Sequence, residues 1–408
     1  MKLLLSKSNL LNKKSVSITG SKSETNRLLI LQYLYPNLKI INPSQSDDSV
    51  VLKKALHSSS NTIDIHHAGT AMRFLTALFS IIESKEIILT GSLRMQNRPI
   101  EVLVSSLNKI GANINYLEKK GYPPLKIVGK KLIKDKVSLD SNISSQYISA
   151  LILIASKLKN GLLVKLNGTI TSKSYILMTV SILNKIGIQA DFNQNYIKVQ
   201  PFKGVIKPTQ IVVESDWSSA SYYYSLISLS SIGTEIILSN FKKNSLQGDS
   251  ILSIIFLDFG VQTVYENNMI ILKKVKMTKN QINYNLINSP DIAQTIAVTC
   301  LGLGINCLLT GLHTLLIKET NRLQALKIEI EKLGAKVYID KDSISISNSQ
   351  NLKANVEIET YDDHRMAMSF APLSLVTNIQ INNAEVVAKS YPNYWTDLKK
   401  IGIKINKV

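Results

Sequence analysis

The phrase Leu107-Asn108-Lys109-Ile110-Gly111-Ala112 returns as Leu183-Asn184-Lys185-Ile186-Gly187-Ile188. It returns more loosely as Leu257-Asp258-Phe259-Gly260-Val261, Glu331-Lys332-Leu333-Gly334-Ala335 and Leu398-Lys399-Lys400-Ile401-Gly402-Ile403. Successive glycines lie 76, 73, 74 and 68 residues apart, which makes the phrase a period. Before each Gly, apolar residues at three- and four-residue spacing, such as Leu103, Leu107 and Ile110, predict an amphipathic helix. The Gly then supplies the left-handed residue that ends it. Alternation follows, as in Val337, Ile339, Ile344 and Ile346 around Asp340-Lys341-Asp342, and predicts a hairpin. A period above 70 is too long for one solenoid turn and suits a compact unit of helices and a sheet. The chain has room for between five and six such units.

The 408 residues are 45% hydrophobic, enough to bury sizeable cores and to exclude a disordered or fibrous chain. A formal charge of +19 invites comparison with nucleic-acid-binding proteins, but charged residues are only 19% of the chain and form no solid basic block. Of the 48 basic residues, six are Arg, at positions 27, 73, 94, 98, 322 and 365, and 42 are Lys. With the heavy use of Ile and Asn, this reads as an AT-rich coding bias that keeps Arg where a planar, bidentate fork is needed. The two cysteines, Cys300 and Cys307, lie in an apolar stretch without ligand spacing, so neither a disulfide framework nor a zinc site is expected, and a reducing cytoplasm is. The apolar run Leu3 to Leu5 is too short for a signal-peptide core, and glycines interrupt Thr295 to Leu312, which reads as a buried helix, a turn and a strand.

Candidate chemistry sits at turns and helix starts. After the strand Val16-Ser17-Ile18, Gly20-Ser21-Lys22-Ser23-Glu24-Thr25-Asn26-Arg27 delivers hydroxyls and cations to a helix beginning, with Ser23 and Arg27 at i,i+4. A capped helix with an exposed Lys and Arg would give the same pattern, and no Walker A loop is present. Ala68-Gly69-Thr70-Ala71-Met72-Arg73 repeats the device, with Thr70 as the alternative N-cap. Arg94 and Arg98 fall in a segment expected to be a loop before a Pro-led helix at Pro99. In the second half, Lys318 and Arg322 are expected on one helical face beside Glu319, Asp291 opens a helix after Pro290, Asp362-Asp363-His364-Arg365 precedes another amphipathic helix, and Lys389 falls in a loop with Tyr391-Pro392. Glu319 with Arg322 also fits a plain surface pair. Taken together, cations at turns in both halves, a few lone carboxylates and no nucleophilic Cys suit acid/base chemistry on polyanionic small molecules.

These segments resemble the 5-enolpyruvylshikimate-3-phosphate synthase (3-phosphoshikimate 1-carboxyvinyltransferase) family. The resemblance also takes in Ser144-Ser145-Gln146-Tyr147, Ser172-Lys173 with Tyr175, Glu214 with Asp216, Gln247-Gly248-Asp249 and Asp363-His364-Arg365. It runs from Ser17 nearly to the C-terminus. It implies an α/β fold, a two-domain inside-out barrel with three βαβαββ units in each domain. One domain would be residues 1–19 with 215–408 and the other 20–214, with the active site in the cleft between them.

The implied reaction joins the 5-hydroxyl of shikimate 3-phosphate to C2 of phosphoenolpyruvate through a tetrahedral intermediate that loses phosphate. By resemblance, Lys22, Gly69, Arg98, Gln146, Arg322, Arg365 and Lys389 would hold phosphoenolpyruvate. Shikimate 3-phosphate would be held by Lys22, Ser23, Arg27, Ser144, Ser145, Gln146, Ser172, Tyr175, Asp291 and Lys318. Asp291 is the candidate base, and Glu319 or Lys22 the candidate acid. No metal or organic cofactor is expected, nor a nucleic-acid or membrane partner, and the chain is expected to act as a cytoplasmic monomer. Three positions depart from the family pattern: His67 for Asn, Phe74 for Pro and Asn321 for Asp.

The nearest alternative enzyme shares the fold and the enol donor. UDP-N-acetylglucosamine 1-carboxyvinyltransferase usually carries a Cys, sometimes Asp, before the residue matching Arg98, and residues Leu93 to Asn97 contain neither. A basic nucleic-acid-binding protein would need a stripe of Arg and Lys interleaved with aromatics, which is not visible. An inactive relic is opposed by intact Lys22, Asp291, Glu319 and Lys389.

Overall fold

The computed structural model describes residues 1–140, 144–348 and 351–408. The chain divides into two compact units, Met1–Thr19 with Glu214–Val408 and Gly20–Val213. All five periodic glycines take positive φ, from 73° at Gly260 to 113° at Gly111, as the left-handed helix end requires.

Among the described residues, five four-stranded sheets repeat one pairing scheme: a parallel pair, then an antiparallel partner, then an antiparallel edge strand. In the first unit one sheet runs Gln281–Asn285, Asn306–Thr310, Ile344–Ile346, Val337–Ile339, the last two forming the hairpin expected around Asp340. A second runs Val261–Glu266, Met269–Lys274, Glu235–Ser239, Lys14–Val16. The third places Leu3–Ser6 between Ile379–Ile381 and Lys404–Lys407, with Val356–Ile358 at its edge. The second unit has two such sheets, and its third is only the parallel pair Leu38–Ile41 with Thr209–Val212. The sixth copy therefore keeps the parallel pair and lacks the hairpin.

Strands such as Glu235–Ser239 alternate buried and partly exposed residues, so each sheet turns one face inward. The helices Trp217–Ser228 and Ala293–Leu303 are buried nearly all round, and His364–Phe370 is buried throughout. This puts helices at the centre of the first unit and sheets outside. Where the three meet, serines and threonines replace larger apolar groups: Ser221 Oγ lies 2.9 Å from Thr295 Oγ1, which lies 3.3 Å from Ser369 Oγ, each step spanning 74 residues. Thr299 Oγ1 donates to Ser225 Oγ at 2.7 Å across the same interval. Small hydroxyls let the helices approach closely while satisfying one another. The stretch Thr295 to Leu312 resolves into the end of the central helix Ala293–Leu303, a left-handed Gly304 and the strand Asn306–Thr310. Both cysteines within it are buried and free.

Candidate active site

In the Gly20–Val213 unit the candidate residues collect at the beginnings of helices. The helix Lys22–Leu34 is capped by Ser21, whose hydroxyl accepts from Glu24 N–H, and Lys22 pairs with Asp48 at 3.3 Å. Arg27 is almost fully buried and donates to four oxygens: Thr179 Oγ1 at 2.7 Å, Ser23 O at 2.7 Å, Ser149 Oγ at 3.0 Å and Tyr175 O at 3.2 Å. The rings of Phe74 and Tyr175 stand 5.5 and 5.8 Å from its guanidinium carbon. Burial pulls its pKa down to about 10, against the opposing effects of Tyr175 and Glu24, so it stays charged at neutral pH. Arg27 thus ties the N-terminal halves of Lys22–Leu34, Ser145–Ala155 and Lys173–Lys185 together. Such clustered helix starts favour anions.

Ser144 caps the helix Ser145–Ala155 by accepting from Gln146 N–H, and the Gln146 amide donates to Thr70 Oγ1 at 3.3 Å. Ser172 precedes the helix Lys173–Lys185 in a left-handed conformation at φ 52°, uncommon for a serine and a feature that clusters at functional sites. Gly69 begins the helix Gly69–Ser80, and a Cβ there would stand 2.6 Å from an Arg98 nitrogen, so the guanidinium lies directly against the glycine.

In the unit formed by Met1–Thr19 and Glu214–Val408, three carboxylates and four cations interlock. Arg322, almost fully buried, donates to Asp363 Oδ2 at 2.7 Å, Glu319 Oε2 at 2.8 Å and Asp291 Oδ1 at 3.0 Å. Arg365 donates to Asp291 O at 2.9 Å and lies 3.4 Å from Asp291 Oδ2. Lys318 reaches Asp291 at 3.5 Å, and Lys389 reaches Glu319 at 3.2 Å. Burial alone would raise the pKa of Asp291, yet Arg365, Lys318 and Arg322 together hold its carboxyl well below the usual range. Asp249 behaves oppositely: burial first, then the charge of Asp291, push it up to about 7. Its carboxyl accepts from Ser218, whose oxygen is 3.4 Å from Arg365.

The chain thus gathers the candidate residues into two groups. Lys22, Ser23, Arg27, Gly69, Arg98, Ser144, Ser145, Gln146, Ser172 and Tyr175 lie in one unit, and Asp291, Lys318, Glu319, Arg322, Arg365 and Lys389 in the other. Several local expectations are corrected. Lys318 and Arg322 do not share a helical face, because Asn321 caps the helix Arg322–Lys332 and Lys318 lies before it; both reach Asp291 nonetheless. Thr70 is inside its helix rather than at the cap. The segment around Arg94 contains one helical turn, Leu93–Gln96, capped by Ser92, and the following helix starts at Glu101, two residues after Pro99.

At the departures from the family pattern, His67 Nδ1 meets Ser92 Oγ at 2.8 Å, Phe74 packs beside Arg27, and Asn321 caps. Sequence reasoning gave no part to Ser218, Ser149, Thr179 or Asp48. Ser149 and Thr179 follow Ser145 and Tyr175 by four residues, a helical spacing that was open to notice. Among the described residues, no cluster of three or more His, Cys, Asp or Glu is placed to hold a metal ion, and no helix is long and apolar enough to cross a membrane.

A family model for EPSP synthase (3-phosphoshikimate 1-carboxyvinyltransferase) matches residues 37–398. A 3-phosphoshikimate 1-carboxyvinyltransferase of Bacteroides fragilis is 42% identical over 398 residues, covering 96% of each chain. One of Haemophilus influenzae is 34% identical over 424 residues, again covering 96% of each. In fold, the chain is similar to EPSP synthase from Acinetobacter baumannii, with a TM-score of 0.81 at 21% identity over the whole of both chains. It is also similar to the enolpyruvyl transferase NikO from Streptomyces tendae, with a TM-score of 0.75 at 12% identity, covering 99% of this chain and 98% of the other.

Proposed function

The chain belongs to the EPSP synthase (3-phosphoshikimate 1-carboxyvinyltransferase) family, and we propose that it transfers the enolpyruvyl group of phosphoenolpyruvate to the 5-hydroxyl of shikimate 3-phosphate, releasing phosphate. The observation that carries this reading is the Asp291 carboxylate among Lys318, Arg322 and Arg365, with Glu319 between Arg322 and Lys389. Two phosphates and two carboxylates bring roughly five or six negative charges. Cations held by internal carboxylates are ready to exchange those partners for substrate anions.

In this reading both groups of residues act on one pair of substrates. Lys22, Gly69, Arg98 and Gln146 serve phosphoenolpyruvate from one unit, and Arg322, Arg365 and Lys389 serve it from the other. Ser23, Arg27, Ser144, Ser145, Ser172 and Tyr175, with Asp291 and Lys318, serve shikimate 3-phosphate. In the addition, the 5-hydroxyl oxygen bonds to C2 while its proton passes to Asp291 and C3 takes a proton from Glu319 or Lys22. In the elimination, C3 returns a proton to the group that supplied it as the bond from C2 to the phosphate oxygen breaks, and the proton on Asp291 leaves with the phosphate. The cations that depress Asp291 make it a weak base in the free protein. Substrate anions that engage those cations restore its basicity, so the base strengthens when there is something to deprotonate. The two buried free thiols suit a reducing cytoplasm.

The test is phosphate release from phosphoenolpyruvate with shikimate 3-phosphate, with UDP-N-acetylglucosamine, or with no acceptor. Release that requires shikimate 3-phosphate and disappears in Asp291→Ala is the expected result. Release with the nucleotide sugar alone, or with neither acceptor from folded protein, would overturn the reading.

A further inference from the structure

Lys389 ends the short helical segment Ala384–Lys389, and two residues later the chain buries Tyr391. The Tyr391 hydroxyl donates to Asp397 Oδ2 at 2.9 Å and lies 2.8 Å from the hydroxyl of Tyr223. A phenol has one proton; with that of Tyr391 given to Asp397, Tyr223 is the donor in the second bond. All three residues are buried, and Lys400 closes the chain at Asp397 Oδ1 at 2.8 Å. A second tie runs parallel to it: Tyr394 donates to Met368 O at 2.9 Å. Tyr223 belongs to the helix Trp217–Ser228, whose first turn carries Ser218, and Met368 belongs to the helix His364–Phe370 that carries Arg365. The segment following Lys389 is therefore anchored by hydroxyls to two helices whose first turns hold site residues.

We infer that Tyr391, held between Tyr223 and Asp397, is a positioning residue that sets where the Lys389 ammonium stands beside Glu319. Lys389 has three rotatable donors on a long flexible stem, so its reach is set by the backbone from which it starts. That backbone is short and irregular: Ser390 N–H and Tyr391 N–H both return to Val387 O, which leaves the buried phenol as the next fixed point. Burial keeps both phenols protonated and able to donate. The inference rests on the reading in which Lys389 holds phosphoenolpyruvate.

The experiment is steady-state kinetics of Tyr391→Phe against Tyr224→Phe, with thermal midpoints of both. Tyr224 also carries a buried hydroxyl, 2.8 Å from Thr263, on the same helix as Tyr223 but bonded away from Lys389. Tyr391→Phe should raise KM for phosphoenolpyruvate by about fivefold to tenfold, the loss expected when a buried hydroxyl ceases to hold a binding group in place. KM for shikimate 3-phosphate should stay within about twofold. Tyr224→Phe should leave both constants near wild type while lowering the midpoint. Equal behaviour of the two variants, or a rise in both KM values together, overturns the inference. If Tyr391→Phe does not yield folded protein, Tyr223→Phe takes its place, and an unchanged KM for phosphoenolpyruvate is then the overturning result. A wild-type protein that releases no phosphate defeats the proposed function itself, whereas an active wild type with an indifferent Tyr391→Phe defeats only this inference.

Discussion

Ser218 donates a hydrogen bond to the buried carboxyl of Asp249 and presents its oxygen to Arg365 at 3.4 Å, so one hydroxyl joins an acid poised near neutrality to a guanidinium of the candidate site. Because the folded pKa of Asp249, about 7, lies above its ordinary value of 3.8, the native state holds a proton that the unfolded chain has released. Its contribution to stability is fully present below the ordinary value and is lost as pH rises through about 7. Asp249→Asn, which cannot ionise, should therefore gain on wild type between those limits, by up to a few kcal/mol, and the advantage should level off above them. Thermal midpoints of both proteins from pH 4 to 8 check this; parallel curves would count against a neutral Asp249.

Asp291→Asn separates binding from chemistry. The carboxylate neutralises Lys318, Arg322 and Arg365, so its removal leaves those cations for substrate anions, which offsets the contact that Asp291 itself gives shikimate 3-phosphate. Turnover should fall by about a hundredfold to ten-thousandfold, the range of a lost general base, with KM for both substrates unchanged or lower. A raised KM with near-normal kcat would make Asp291 a binding group only.

Arg27→Lys keeps the charge and loses the fork. Its four acceptors come from three helices, and an ammonium reaches them poorly. The urea midpoint should drop, corresponding to about 2 to 4 kcal/mol for a buried, multiply bonded cation, along with affinity for shikimate 3-phosphate. Wild-type stability in this variant would mean that the helix starts hold together without it.

Gly69→Ala places a methyl 2.6 Å from an Arg98 nitrogen. The guanidinium is the far end of a flexible side chain, so it yields and the helix does not. KM for phosphoenolpyruvate should rise, by roughly tenfold to a hundredfold for a displacement near 1 Å, with little change in thermal midpoint. An unmoved KM would place Arg98 outside the phosphoenolpyruvate site.

The helix ends were legible because Gly at a left-handed position is a local requirement: each of the five periodic glycines has it. Sheet order was not, since Lys14–Val16 pairs with Glu235–Ser239 across more than two hundred residues, a relation that no local pattern encodes. Four of the six arginines, at 27, 73, 322 and 365, are buried, which is where a fork outperforms a point charge, whereas Arg94 and Arg98 are only half-buried. Their partners were harder to read. Ser149, Thr179 and Ser218 are hydroxyls in a chain full of them, and only the packing of helices distant in sequence selects these three. Lys318 and Arg322 were misplaced because an Asn cap at 321 starts the helix later than charge spacing suggested.

The strand Leu3–Ser6 is paired on both sides by segments from far along the chain, Ile379–Ile381 and Lys404–Lys407. Synthesis runs from the N-terminus, so this strand leaves the ribosome long before either partner and waits for both. The Gly20–Val213 unit is continuous and has its own core, so it is complete while the other unit still lacks most of its sequence. A chain halted after residue 213 would carry one finished body and an unpaired strand, and its second body can close only once Lys404–Lys407 has been made.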